Sequence, residues 1–344
     1  MLELSDKIRN IVFFCEGGIG KNISSTAVVR AIKKAHPKKN IIVVAGCPEI
    51  FMNNPNVKRS FHFQNALHFY EDWVNDETVI IKHEPYLHYD YIQKNKHVVE
   101  CWCEQVGVPF DGSEPDIFFI PSELDAAKIF TDELTNQGKS DLVMFQWVGG
   151  QVPDPNNQKS FKDKLAGMYR RAMPKDQAQA IVDYFYNERG ATVINVGHSN
   201  FPQLKNCKNP QLPIRVIISL LTQAKLFVGI DSFIQHAAAS HQINKKGIVI
   251  WGGTSKICLG YDLHKNLEVI ACPTPACHRP NSYLMDVQIN GQMWDCPYGE
   301  PCMKRTIDEV ISAVNEVSLF DGMKGIVDAK INDPSIVIPN SCGR

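Results

Sequence analysis

The chain has 344 residues and a net charge of −1, with 36 Lys and Arg against 37 Asp and Glu, so its overall charge does not demand nucleic acid as a partner. Its 44% hydrophobic and 21% charged residues are ordinary for a globular protein, and its length favours two domains over one core. With a mean hydropathy of −0.20 and no apolar stretch near the roughly 18 residues a membrane helix needs, no membrane span is expected.

The opening "MLELSDKIRN" carries acidic residues and no signal-type apolar region, which predicts a cytoplasmic protein. In that reducing compartment the 11 cysteines read as core thiols or metal ligands rather than disulfides. The first 60 residues hold ten Lys/Arg against four Asp/Glu. That surplus could greet an anionic acceptor. It could equally be a solvated helix end, since "RAIKKAHPKK" gathers cations before Pro37.

"NIVFF" predicts the first strand and "SSTAVVRAIKKAH" the first helix, with Ser24 or Ser25 as caps. Between them, "CEGGIGKNISST" resembles a phosphate loop but fits neither common template. In the P-loop register of Gly20-Lys21, the leading glycine falls on Cys15 and the Mg²⁺-binding hydroxyl on Asn22. In the G-x-G-x-x-G register from Gly18, the third glycine falls on Ile23. A tight turn in which glycines let the backbone pass stays open. "NIIVVAG" and "ETVIIKH" predict further strands, the latter followed by the aromatic and histidine-rich "HEPYLHYDY". That loop could equally be surface aromatics packed on a helix. "HVVECWCEQVG" predicts a helix and "PDIFFIP" a short edge strand.

A second alternation starts at "DLVMFQWVGGQ". "PKDQAQAIVDYFYNE" predicts a helix with Pro174 near its first turn, followed by the strand "ATVINVG" and the helix "PIRVIISLLTQA". "KLFVGID" is a strand leading into the helix "SFIQHAAASHQ"; "KGIVIWGG" is a strand and "RTIDEVISAVNEV" a closing helix. Two βα arrays predict an α/β protein of two Rossmann-like, parallel-sheet domains with a cleft between them. We place them at 1–140 and 141–318, with an irregular tail at 319–344. Ligands bind at the carboxyl ends of strands in such sheets, so the strand-exit loops carry the candidate site.

Two constellations carry chemistry. In "FVGIDSFIQHAAA", Asp231 and Ser232 meet a helix start and His236 follows one turn on. This suits a phosphate and sugar-hydroxyl site, or a helix cap beside a core histidine. The pairs Cys272/Cys277 and Cys296/Cys302 lie in one proline-rich segment. Four thiolates bind Zn²⁺ or Fe tetrahedrally; reduced thiols in a loop are the alternative. Cys15, Cys47, Cys101, Cys103, Cys207 and Cys258 read as core or edge thiols.

The motif "LFVGIDSFIQHAAA" resembles F-[VI]-G-x-D-S-G-x-x-H-x-A-A of the family-9 glycosyltransferases, which include heptosyltransferases. "GGIGKNISSTAVVRAIKKAHP", "NNPNVKRSF", "WGGTSKICLGY" and "CPTPACHRP…WDCPYGEPCMKRTIDEVISAV" resemble further segments of that family, in order from about residue 10 to 316. The resemblance implies a GT-B fold, with two Rossmann-like domains facing each other across a cleft. The first would bind the acceptor and the second a UDP-, ADP- or GDP-sugar. It implies inverting transfer of a sugar to an acceptor hydroxyl without a catalytic metal, and a structural Zn or Fe at Cys272, Cys277, Cys296 and Cys302.

By the same resemblance, Asp231, Ser232 and His236 contact the donor, joined by Arg170, Arg171, Gly149, Gly150 and Thr254. Gly17, Gly18, Gly20, Asn22 and His88 lie on the acceptor side. Three positions depart from the pattern: Phe233 replaces a glycine, Ile230 an asparagine, and Lys21 the Asp taken as general base. A lysine suits anion binding better than proton abstraction. The base would then come from elsewhere, with Glu16 and Asp90 leading and Glu84 and His88 as further candidates. The expected acceptor is a lipopolysaccharide-type or other surface glycan. Hydroxymethylated DNA and protein hydroxyls are alternatives, and a non-catalytic nucleotide-sugar binder is a further one. An epimerase lacks support, for there is no G-x-G-x-x-G.

Overall fold

The computed structural model describes residues 3–135, 141–149, 172–197, 201–268, 272 and 301–317. The first half begins with β1 (Asn10–Cys15), α1 (Ile19–Ala35), β2 (Asn40–Ala45), β3 (Arg59–His62), α2 (Phe69–Trp73) and β4 (Thr78–Ile81). It continues through α3 (Tyr89–Ile92), α4 (Val98–Val106) and α5 (Pro121–Thr135). The second half runs β5 (Leu142–Gln146), α6 (Lys175–Asp183), β6 (Thr192–Asn195), α7 (Ile214–Gln223), β7 (Leu226–Ile230) and α8 (Phe233–Ala238). It ends with β8 (Gly247–Ile250), α9 (Lys256–Leu259), β9 (Lys265–Leu267) and α10 (Ile307–Glu316).

The strands form two sheets, ordered β3-β2-β1-β4 and β6-β5-β7-β8-β9, and every pairing is parallel. β1, β2 and β5 are apolar runs buried on both faces, as parallel strands covered on both sides must be. The two faces feed different cores. Leu142, Met144, Phe227 and Val249 look toward the first half, while Val143, Phe145, Val228 and Ile250 pack under α6 and α10. The first of these cores also contains Ile11, Phe13, Ile41 and Val43 of the other sheet, so one apolar mass joins both halves. Between the sheets α1 packs on α8, and α5 packs on α7.

Two expectations need correction. The first helix starts at Ile19, not at Ser24, because Gly18 is its N-cap and Asn22 donates to the carbonyls of Gly17 and Gly18. "PDIFFIP" is not a strand. Its backbone partners are side chains instead: Thr26 accepts from Asp116 N, Gln242 from Ile117 N, and Arg215 donates to Phe118 O. β3, β9, α2 and α5 had no expectation attached; β3, β9 and α2 are five residues or shorter, and α5 buries only Ala127 and Thr131.

Part of the basic surplus is a helix end. Lys33 and Lys34 occupy the last turn of α1, at the end remote from the strand-exit loops. Lys34 pairs with Asp111, and Lys33 and Lys39 donate to backbone carbonyls.

Candidate functional site

In each sheet the connections reverse direction once, between β1 and β4 and between β5 and β7. A crevice opens at the carboxyl ends of the strands at such a reversal. In the first sheet the loops there are Cys15–Gly18 and the segment after Ile81. In the second they are the residues following Gln146 and the pair Asp231–Ser232.

In the first loop, Gly17 has φ +115°, and a β-carbon on Gly46 would meet its carbonyl oxygen at 2.3 Å. Asn22 is fully buried, donates to Gly17 O and Gly18 O, and accepts from Cys47 N at 3.0 Å. It therefore staples the exits of β1 and β2 together. A β-carbon on Gly20 would stand 3.1 Å from His236 Cδ2, so this glycine admits the opposing half. Burial pushes the Cys15 thiol up to about 12, which leaves it un-ionised.

Lys21 turns inward. Its side chain is 9% exposed, and its Nζ lies 2.7 Å from Glu84 Oε2, with the rings of Tyr86 and Trp102 at 5.1 and 5.4 Å. Glu84 follows β4; its other oxygen accepts from Tyr86 N, and Gln105 donates to its carbonyl. Glu16 lies at the surface in an ion pair with Lys82. Asp90 and Glu104 both bind Lys96, and His88 Nε2 lies 3.3 Å from Glu104. Hydrogen bonds from Asn95 and then Lys96 hold Asp90 below the usual carboxylate range. His88, Asp90 and Glu104 are the described residues with metal-ligand spacing, but the Lys96 ammonium is already bonded to both carboxylates.

In the second half, Asp231 is buried and accepts from Gln235 Nε2 at 2.8 Å. Ser232 takes the N-cap position of α8 without a side-chain capping bond. A β-carbon on Gly149 would lie 2.9 Å from Ser232 Oγ, which brings those two predicted residues together. Thr254 is buried, and its hydroxyl has no partner among the described residues. His236 joins the two halves: its Nδ1 lies 2.9 Å from Tyr261 Oη and 3.3 Å from Ser24 Oγ. Burial raises the Tyr261 hydroxyl far above its ordinary range, so it keeps its proton beside Nδ1. His236 Nε2 faces Asp231 Oδ1 at 3.9 Å.

Gly150, Arg170, Arg171, Cys277 and Cys296 lie outside the described residues. Cys302 is buried in the second core and Cys272 half-buried. Cys15, Cys47, Cys101, Cys103, Cys207 and Cys258 are free thiols at buried or half-buried positions. Ser24 and Tyr261 were not singled out from sequence as partners of His236. Ser24 lies 212 positions from its partner, and no local pattern reports such a contact. Gln235 was legible in principle, four residues after Asp231 on one helix face.

The sequence matches no family model and no curated relative. Solved structures do match. The family-9 glycosyl transferase of Veillonella parvula is 14% identical, with 93% of this chain and 98% of that chain covered and a TM-score of 0.62. The dodecameric iron-containing heptosyltransferase TibC of Escherichia coli, solved with ADP-D-β-D-heptose, is 13% identical, with 92% and 78% covered and a TM-score of 0.60. The E. coli ADP-heptose lipopolysaccharide heptosyltransferase II is 11% identical, with 77% and 92% covered and a TM-score of 0.52. Two parallel sheets, each with its connection reversal, are thus the GT-B fold of family-9 glycosyltransferases, and this chain has that fold.

Proposed function

We propose that this chain is a nucleotide-sugar-dependent glycosyltransferase that moves a sugar onto an acceptor hydroxyl with inversion. The observation that carries the reading is the buried polar group at the reversal of the second sheet. Asp231, Ser232, Gly149 and His236 meet there opposite the first loop, and buried Thr254 follows the neighbouring strand β8. Asp231 is suited to sugar hydroxyls, and Nε2 of His236 to a hydroxyl or phosphate oxygen. Arg170, Arg171 and Gly150 complete the donor side in this reading. Gly17, Gly18, Gly20, Asn22 and His88 shape the acceptor side.

The ADP-sugars of the structural neighbours make ADP-heptose the first donor to test. A surface glycan is the favoured acceptor, because the basic surplus lies at the far end of α1 and offers no DNA track at the site. Calorimetric titration with ADP-heptose, UDP-glucose and GDP-mannose should find one donor that binds. In Asp231→Ala that binding should fall at least tenfold, and nucleotide release should stop. Full activity in this variant would remove the donor assignment.

Cys272, Cys277, Cys296 and Cys302 would hold a structural Zn or Fe. A set of four thiolates leaves no open position for substrate, so no step passes through the metal. Elemental analysis of the purified chain should find about one such ion per chain.

A further inference from the structure

The reading of Lys21 as an anion binder meets an obstacle in the geometry. Its ammonium is folded back under two aromatic rings and bonded to a carboxylate. A charge so placed cannot also extend to a diphosphate without abandoning Glu84. What it does is fix that carboxylate at the carboxyl end of β4, at the connection reversal of the first sheet.

Activation of an acceptor hydroxyl needs a group that takes a proton and is within reach of the seam between the halves. Glu16 is paired at the outer surface with Lys82. Asp90 is bonded to Asn95 and Lys96, and Lys96 ties it to Glu104 rather than to the loop that carries Gly20. Asp231 lies on the opposite half beside His236. Glu84 is different. Lys21 and Tyr86 N each occupy one of its oxygens, which leaves lone pairs to spare. Its side chain is 32% exposed, whereas its lysine partner is closed off. The groups packed about it are Lys21 of α1, Tyr86 of its own turn, and Trp102 and Gln105 of α4, with Cys15 at the end of β1. Lys21 follows directly on Gly20, the residue that touches His236.

We propose that Glu84 is the base of the transfer reaction and that Lys21 is its positioning residue; this rests on the glycosyltransferase reading above. The Glu84 carboxylate takes the proton of the acceptor hydroxyl. The hydroxyl oxygen's electron pair forms the new bond to the anomeric carbon. The bond from that carbon to the diphosphate breaks, and its electrons leave on the nucleoside diphosphate. Lys21 holds the carboxylate in one rotamer before the proton arrives.

The test uses the full chain with ADP-heptose, UDP-glucose and GDP-mannose as probes. Donor affinity is measured by calorimetry. Nucleoside diphosphate release is measured with water as acceptor and with the best glycan acceptor. Glu84→Gln should bind donor within twofold of wild type, lose about 10²–10⁴-fold in kcat and lose the acid limb of its pH–rate profile. Lys21→Met should keep donor affinity and lose kcat with little change in KM. Lys21→Arg should recover most of the rate. A purely structural pair would not lose the acid limb in Glu84→Gln. The double variant Lys21→Met/Glu84→Gln leaves no unpaired charge, and its donor binding reports folding. Wild-type rates in Glu84→Gln, or an acid limb that survives in it, overturn the proposal. If wild-type protein binds none of the three donors, the glycosyltransferase reading itself fails, and that result is distinct from the others.

Discussion

Asn22 has no exposed surface and three partners, and all three are backbone groups of two loops. Removing its amide leaves those groups buried and unsatisfied. Asn22→Ala should therefore destabilise the protein by about 2–3 kcal/mol, read as a lower denaturation midpoint with an unchanged slope. The sequence placed Asn22 in the right loop but could not assign it this task, since its partner Cys47 lies 25 residues on. The same limit governed Lys21. Its position was legible from the glycine pattern, while its partner Glu84 comes from 63 residues away, across a neighbouring strand. Asp231 and Ser232 were easier to place, because strand, turn and helix follow one another directly in the chain.

Among the elements, α5 buries only Ala127 and Thr131, and its packing on the apolar helix α7 leans on polar contacts. Arg215 of α7 is buried, forms a two-pronged pair with Glu123 of α5, and donates to the carbonyls of Glu49 and Phe118. That pairing holds the Glu123 carboxyl below its usual range. Arg215→Ala would strand Glu123 and two carbonyls, and should cost about 3–5 kcal/mol in denaturant unfolding. Adding Glu123→Leu should restore part of the loss, as a double-mutant cycle would show. The failed edge strand at 115–121 belongs to the same story. An apolar run of that length suits a strand or an irregular buried segment, and only the distant donors and acceptors of Thr26, Arg215 and Gln242 decide between them. The central strands were legible because a run buried on both faces has no such ambiguity once flanked by turn residues.

At the scale of the whole molecule, the halves share a core and a polar hub. Tyr261 stands between His97 of the first half and His236 and His264 of the second, with ring centroids 5.4, 5.6 and 5.9 Å away. Burial, with His236 adding to it, lowers His97 to about 3 and His264 to about 4. Both are therefore neutral in the folded protein at neutral pH. The unfolded chain takes up these protons near pH 6.5, so the stability present above 6.5 is lost as the pH falls toward 4. The loss should be about 2 kcal/mol per histidine at pH 5, measured as a fall in Tm. His264→Asn should flatten that dependence by about half. Unfolding should remain one cooperative transition throughout, because one apolar mass spans both sheets.

The contact between Ser24 and His236 carries one more consequence. The histidine that faces Asp231 also bridges the seam, so a ligand that turns its ring must do work on the seam as well. Such coupling is reciprocal. Ser24→Ala, which touches only the seam, must then change the affinity for that ligand by the same free energy with which the ligand changes the stability cost of that substitution.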